Sequence, residues 1–409
     1  MKRPAPQSSQ NAPSSTIQPT GDQASPFCHQ RYTAEPPRVP HFYVQAAVGP
    51  PVSSRDFQRR MRHVGQALKM AGVGAIYLVH SSFAALDSLN ILASLARNCR
   101  SVGPSIRRVA ARLIDADGHD AGNYTMHYAG LLEAALGSGA PPVKLAAWSS
   151  ENHHLGRADA AVRLIDELAA LELAPGERVM LWGHGHAGNV FAIMTQLLTC
   201  PTAAVERFFD AAAVYYRLPF TGLTDIPVWH RVRQLLTRDR QRVAERLCDW
   251  VTFGTPVRYG WKLRNDDNLL HFVHHRPVAG GPAHLAVFPP RPEDVLSAAG
   301  GDYLQQVAIA GTDAPPSPPA WRSWLANRRL GKLLESQPQP IGLANSLETG
   351  MRVPDSGTTL LVDYGPLAGT PAEQLAGHAV YTRPEWLLFH AEQIVERLFE
   401  GSTKRRCAA

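Results

Sequence analysis

Apolar and polar positions along this chain follow two rhythms: short unbroken apolar runs of strand length, and stretches in which apolar residues recur every three or four positions. The first rhythm suits strands buried on both faces of a parallel sheet, and the second suits helices covering that sheet. The first clear strand is Val73-Gly74-Ala75-Ile76-Tyr77-Leu78-Val79, which breaks at His80-Ser81-Ser82-Phe83 before helical spacing resumes over 84–98. A second strand, 143–148, runs into Ser149-Ser150-Glu151-Asn152-His153-His154 and then a helix with Arg157, Ala160, Ala161, Leu164, Ile165 and Leu168 along one face. Later strands are expected at 269–275 and 358–362, and a last helix at 384–398. The predicted fold is therefore α/β, a mostly parallel twisted sheet with helices on both faces. No internal repeat of solenoid or propeller period interrupts it.

Residues 1–40, rich in Pro, Ser, Gln and Ala, contain too little large apolar surface to offset their ordering entropy and are expected to be a disordered tail. One domain over 41–400 follows, with a basic tail at 401–409. Within the domain, the segment 201–249 carries Phe208, Phe209, Tyr215, Tyr216, Phe220 and Trp229 on two expected helices. The segment 276–302 reads as a long surface loop and 315–319 as a rigid connector. Length supports this count, since 409 residues with 44% apolar content bury one large core. Charge changes little: 41 Lys and Arg against 35 Asp and Glu give +6, and the runs Arg59-Arg60-Met61-Arg62 and Lys404-Arg405-Arg406 read as solvated surface, so nucleic acid is not implied. Five scattered cysteines read as reduced thiols. No apolar h-region follows Met1, and no apolar run reaches the ~18 residues of a membrane span, so a soluble cytoplasmic protein is expected.

The segment with most chemical meaning is Glu177-Arg178-Val179-Met180-Leu181-Trp182-Gly183-His184-Gly185-His186-Ala187-Gly188-Asn189-Val190-Phe191. An apolar strand turns through a few small residues directly into a helix, expected at 189–198. This is a nucleophile-elbow pattern, in which small flanking residues let strand and helix pass closely. The usual G-x-S-x-G reads here as Gly183-His184-Gly185-His186-Ala187, with glycine at the serine position. The chain resembles the lipase- and esterase-related α/β hydrolases. Besides the elbow, the resemblance covers His80-Ser81, where the family often has His-Gly, and Trp148-Ser149-Ser150 with Arg157. It also covers Trp250-Val251-Thr252-Phe253-Gly254-Thr255-Pro256, and His378 between the last strand and last helix. Together these span 73–398.

The resemblance implies an α/β-hydrolase fold with 201–249 as a helical cap. It implies His378 as the base and the N–H groups of Ser82 or Phe83 and of His186 as the oxyanion hole. The acid belongs after strand seven, where Arg276 stands, so Asp313, ending the apolar run 307–310, is the first candidate, Asp302 the second and Asp363 the third. Asp313 before Ala-Pro-Pro is also turn chemistry, and Ser149 or Ser150 after a strand is ordinary helix-cap chemistry. No cofactor or metal is expected. Although His184 and His186 flank Gly185, alternate residues of a tight turn diverge, and seventeen histidines make chance pairs such as His153-His154 and His274-His275 common.

Three functional readings follow. One is a protein of esterase or lipase descent, without ordinary serine-hydrolase turnover at Gly185, that binds a lipophilic or acyl small molecule or a partner. Another is an active ester or acyl hydrolase using water activated by His378, or a nucleophile such as Ser81, Ser82 or Ser150. The third is an interaction protein with a filled pocket. Oligomeric state stays open. Restoring serine at 185 is expected to restore activity at a cost of about 1 kcal/mol, because glycine tolerates the strained backbone angle more freely.

Overall fold

The computed structural model describes residues 26–81, 123–218, 224–277, 280–287, 292–309, 313, 315–316, 318–335, 349–369 and 371–400. Seven strands form one sheet: β1 (His41–Gln45), β2 (Val73–Val79), β3 (Val143–Ala146), β4 (Arg178–His184), β5 (Leu247–Phe253), β6 (Asn268–His274) and β7 (Thr358–Asp363). Their spatial order is β1-β7-β6-β5-β4-β2-β3, and every neighbouring pair is parallel. The principal helices are α1 (Arg55–Met70), α2 (Met126–Leu136), α3 (His154–Ala170), α4 (Ala187–Thr199), α5 (Thr202–Tyr216), α6 (Pro227–Arg238), α7 (Trp321–Leu334) and α8 (Leu387–Val395).

Strand periodicity sorts the buried side chains into two cores. On β4, Val179 and Leu181 join one core with α3 to α7, whereas Met180 and Trp182 join the other with α1, α2 and α8. The α1 helix illustrates the local logic. Ser54 caps it by accepting from Phe57 N–H, Asp56 lies in its first turn and Lys69 in its last. It buries Phe57, Met61, Val64, Gly65 and Leu68 along one stripe. The helical segment between α4 and β5 packs into the body of the protein: Phe208, Phe209, Tyr216 and Trp229 are fully buried in the core shared with α3 and α4, and Trp229 Nε1 donates to Asp159 at 2.7 Å. The helix expected at 84–98 lies outside the described residues.

Part of the stretch expected to be a disordered tail is packed. Phe27 is buried against Phe208, and Cys28 N–H donates to Gln196 Oε1 at 2.8 Å. One aromatic anchor and paired backbone groups order a segment whose average composition is poor in large apolar residues. Among the described residues, no helix is long and apolar enough to cross a membrane.

Strand order also creates a topological switch point. From β2 the chain moves outward through α2 to β3, and from β4 it moves the other way through α4 to β5. Those helices belong to opposite cores. The carboxyl ends of β2 and β4 therefore lie where the two connections diverge, the position at which parallel sheets commonly carry their ligand sites.

Candidate active site

At that switch point β4 ends with His184, Gly185 takes φ +53°, and α4 starts at Ala187. The left-handed angle costs glycine little, which explains the residue type at the apex. Neighbouring small residues serve close packing: a Cβ on Gly183 would stand 2.5 Å from the Phe191 ring, and one on Gly188 would stand 2.1 Å from Thr255 Oγ1. Backbone bonds fix the turn, because Gly185 N–H donates to Phe253 O at 2.8 Å and Thr255 Oγ1 donates to Gly185 O at 2.8 Å. The Gly-Thr-Pro segment after β5 thus braces the elbow from the adjoining strand.

A Cβ added to Gly185 would stand 2.9 Å from His378 Nε2 and only 2.1 Å from Ser81 Oγ. His378 comes from the 3-10 helical segment Leu375–Thr382 after β7, where Leu375, Ala376 and Gly377 have φ values of 45°, 50° and 92°. The turn is held by His184, whose Nε2–H donates to His378 O at 3.1 Å while the two imidazoles stack with centroids 4.3 Å apart. His378 Nδ1 meets Asp302 Oδ2 at 2.7 Å. Asp302 also receives the Tyr381 hydroxyl on Oδ2 at 3.1 Å and Gln305 N–H on Oδ1 at 2.8 Å. Behind it, Arg352 Nη1 donates to the Asp302 carbonyl and, at 2.6 Å, to Gln305 Oε1.

Asp302 reaches this position by a detour. After β6 the chain leaves at His275 and returns through a bridge between His275 and Gly301, with Asp302 N–H donating to His274 O at 2.9 Å. Gly301 makes the return possible: it has φ +104°, and a Cβ there would stand 2.3 Å from His274 O. With the excursion set aside, Asp302 directly follows β6.

Asp313, expected to orient His378, is engaged elsewhere. Its Oδ1 accepts from Arg157 Nη2 at 2.7 Å and Arg258 Nη1 at 2.9 Å, its Oδ2 accepts from Arg258 Nη2 at 2.7 Å, and His154 Nε2 lies 3.1 Å from Oδ2. Two guanidinium groups saturate this carboxylate, so the bond to His378 falls to Asp302. Asp363 caps the end of β7 by accepting from Gly365 N–H at 2.7 Å and pairs with Arg276 at 3.1 Å. Ser82 and Phe83 lie outside the described residues. Ser150 adopts φ +58° and places its Oγ 3.1 Å from His80 Nδ1, away from a simple capping role.

Electrostatics separate the groups. Burial pushes the Asp302 carboxyl up, but the adjoining His378, the Gln305 N–H and Arg352 outweigh it and hold the group below the ordinary value. Burial and then the His378 charge press His184 well down; burial and then Arg157 do the same to His186. His186 Nδ1 faces two donors, Arg157 Nη1 at 3.4 Å and Asn189 Nδ2 at 3.2 Å, so the neutral ring carries its proton on Nε2. The N–H groups of His186 and Ala187 precede the first helical hydrogen bonds of α4, and that helix end favours negative charge. No group of three or more His, Cys, Asp and Glu side chains among the described residues is placed to hold a metal ion.

Tyr381 and Gln305 were not singled out from the sequence as parts of the site, and Thr255 entered only as part of the Gly254-Thr255-Pro256 motif. Gln305 carried a faint signal, as the third residue after an Asp at a helix start, and Tyr381 is one turn beyond His378. No family model matches the chain, and no curated protein matches it in sequence.

Proposed function

We propose that this chain is a hydrolase of the α/β-hydrolase type, cleaving carboxylic esters of small acyl groups. The observation that carries the reading is the placement of His378, with Nδ1 on a buried carboxylate and Nε2 facing the elbow apex at the switch point. An imidazole oriented in this way takes a proton on Nε2 while the carboxylate stabilises the imidazolium. The N–H groups at the start of α4 supply donors for the oxyanion. Chain order adds support, since the switch-point strands come first, the acid at 302 next and the histidine at 378 last, as in hydrolases of this type. A small acyl group suits the surroundings: His378 is 8% exposed, and Tyr381, Phe253 and Tyr124 ring the His184–His378 stack.

The full-length protein is expected to hydrolyse short-chain p-nitrophenyl esters above the buffer rate, with the activity lost in His378→Ala. A folded parent with no turnover would defeat this reading. It would leave the second, ligand binding without turnover, which Gly185 favours because the elbow has no hydroxyl of its own.

A further inference from the structure

We propose that Ser81 is the nucleophile of this site, its hydroxyl delivered from the end of β2 into the place that an elbow side chain would otherwise occupy. The inference rests on the hydrolase reading above and deepens it by naming the attacking atom.

Sheet register is the first argument. The pairs Leu78 with Trp182 and Val79 with Gly183 bring two strand ends level, and just beyond them Ser81 comes against position 185. Glycine at 185 removes the Cβ that would collide there, and Ser81 Oγ occupies that space, 2.1 Å from the ideal Cβ point. The same point lies 2.9 Å from His378 Nε2, so the hydroxyl and the imidazole border one small volume. Serine at 81 and glycine at 185 thus form a complementary pair in which only one of the two positions can carry a hydroxymethyl group.

The backbone around Ser81 is held as a nucleophile's must be. Trp148 Nε1 donates to His80 O at 2.8 Å, and His80 Nδ1–H donates to Ser81 O at 3.0 Å. Ser150, in its left-handed conformation, sets its Oγ against the same His80 nitrogen at 3.1 Å. These contacts anchor residues 80 and 81 to the segment after β3, and Ser81 itself is 3% exposed. A buried hydroxyl and an oriented imidazole bordering one small volume bring together the two groups that nucleophilic catalysis requires.

The chemistry balances. Ser81 Oγ bonds to the ester carbonyl carbon as its proton passes to His378 Nε2, and Asp302 keeps its bond to Nδ1–H. The oxyanion collapses, the bond to the leaving alkoxide breaks, and His378 returns the proton to that oxygen. Water then attacks acyl-Ser81, giving a proton to His378; the acid departs and the proton returns to Oγ.

The test is fluorophosphonate labelling of the full-length protein with peptide mass mapping, alongside ester turnover. The expected result is a single adduct on Ser81, absent in Ser81→Ala and in His378→Ala, with Ser81→Ala lowering turnover by a factor on the order of 10⁴ or more. Gly185→Ser alone sets two hydroxymethyl groups in one space and is expected to lose folded yield, contrary to a simple rescue. The exchange variant Ser81→Gly with Gly185→Ser relieves the overlap, and its adduct is expected at 185. An adduct elsewhere, or one that persists in Ser81→Ala, overturns Ser81 while the hydrolase reading stands. His378-dependent turnover with no serine adduct likewise overturns Ser81, in favour of activated water. Absence of both label and turnover defeats both proposals. Mapping on the parent decides the matter even if Ser81→Ala fails to fold.

Discussion

Two buried carboxylates lie close to the elbow, each with a histidine beside it, and their other partners set them apart. Asp313 is clamped by the guanidinium groups of Arg157 and Arg258. Its histidine, His154, is driven well below its usual pKa by burial; the attraction of Asp313 raises it but is outweighed, with Arg258 and Arg157 pushing the same way as burial. Asp302 meets a histidine, a tyrosine hydroxyl and one backbone N–H, and its nearest guanidinium binds its carbonyl rather than its carboxylate. A carboxylate satisfied by guanidinium groups is a fixed structural anion. A carboxylate whose principal partner is an imidazole can support a change in that ring's protonation, and this difference fits Asp302 to the proposed relay and Asp313 to a structural brace.

The comparison is broken most forcefully at the brace. Arg258→Met removes the bidentate partner of Asp313 and a partner of Glu335, leaving Arg157 as the remaining guanidinium on Asp313 and the two carboxylates under-compensated. A loss of about 3–5 kcal/mol in urea unfolding is expected; a change below ~1 kcal/mol would mean that the cluster is not a structural brace.

Acid probes the buried histidines packed near Asp302. Burial presses His184 well below its usual pKa, and takes His274 and His275 down to about 4. The unfolded chain takes up protons at these histidines first, near pH 6.5, whereas the folded state refuses them until the lower value. Stability is therefore fully present above about pH 6.5 and declines as pH falls toward 4, by up to about 1.4 kcal/mol per pH unit for each such histidine. Urea midpoints at pH 7, 6 and 5 should fall in sequence; a flat series would contradict the burial of these rings as neutral groups.

A smaller effect is expected from Tyr381→Phe. It removes one bond to Asp302 and leaves the buried His274 N–H without its acceptor, previously 2.7 Å away. About 1–2 kcal/mol should be lost, with ester turnover reduced far less than by changes to Asp302 itself. Equal losses of activity would make Tyr381 a full member of the relay.

Much of this architecture was legible in the sequence because it is local. The apolar runs at Val73–Val79 and Arg178–His184 mark central strands, and Gly183-His184-Gly185 marks a tight strand-to-helix turn. His378 could be singled out from its place between the last strand and the last helix. That Asp302 rather than Asp313 meets His378 was hard to read because chain distance is a poor guide when a long excursion returns through one glycine: Asp302 is restored to the end of β6 by Gly301, whereas Asp313 sits beside buried arginines that sequence spacing does not bring together. The meeting of Ser81 with position 185 was less visible still. It depends on the register of β2 against β4, which neither strand encodes alone.

The most direct test of the division of labour is to compare Asp302→Asn with Asp313→Asn for both ester kcat/KM and urea midpoint. Asp302→Asn should lower kcat/KM by about 10⁴ while the protein remains folded, since the amide cannot orient and stabilise the imidazolium. Asp313→Asn should lower the urea midpoint most while its folded fraction retains most of the turnover. The reverse pattern, with turnover surviving in Asp302→Asn and vanishing in folded Asp313→Asn, would contradict the account.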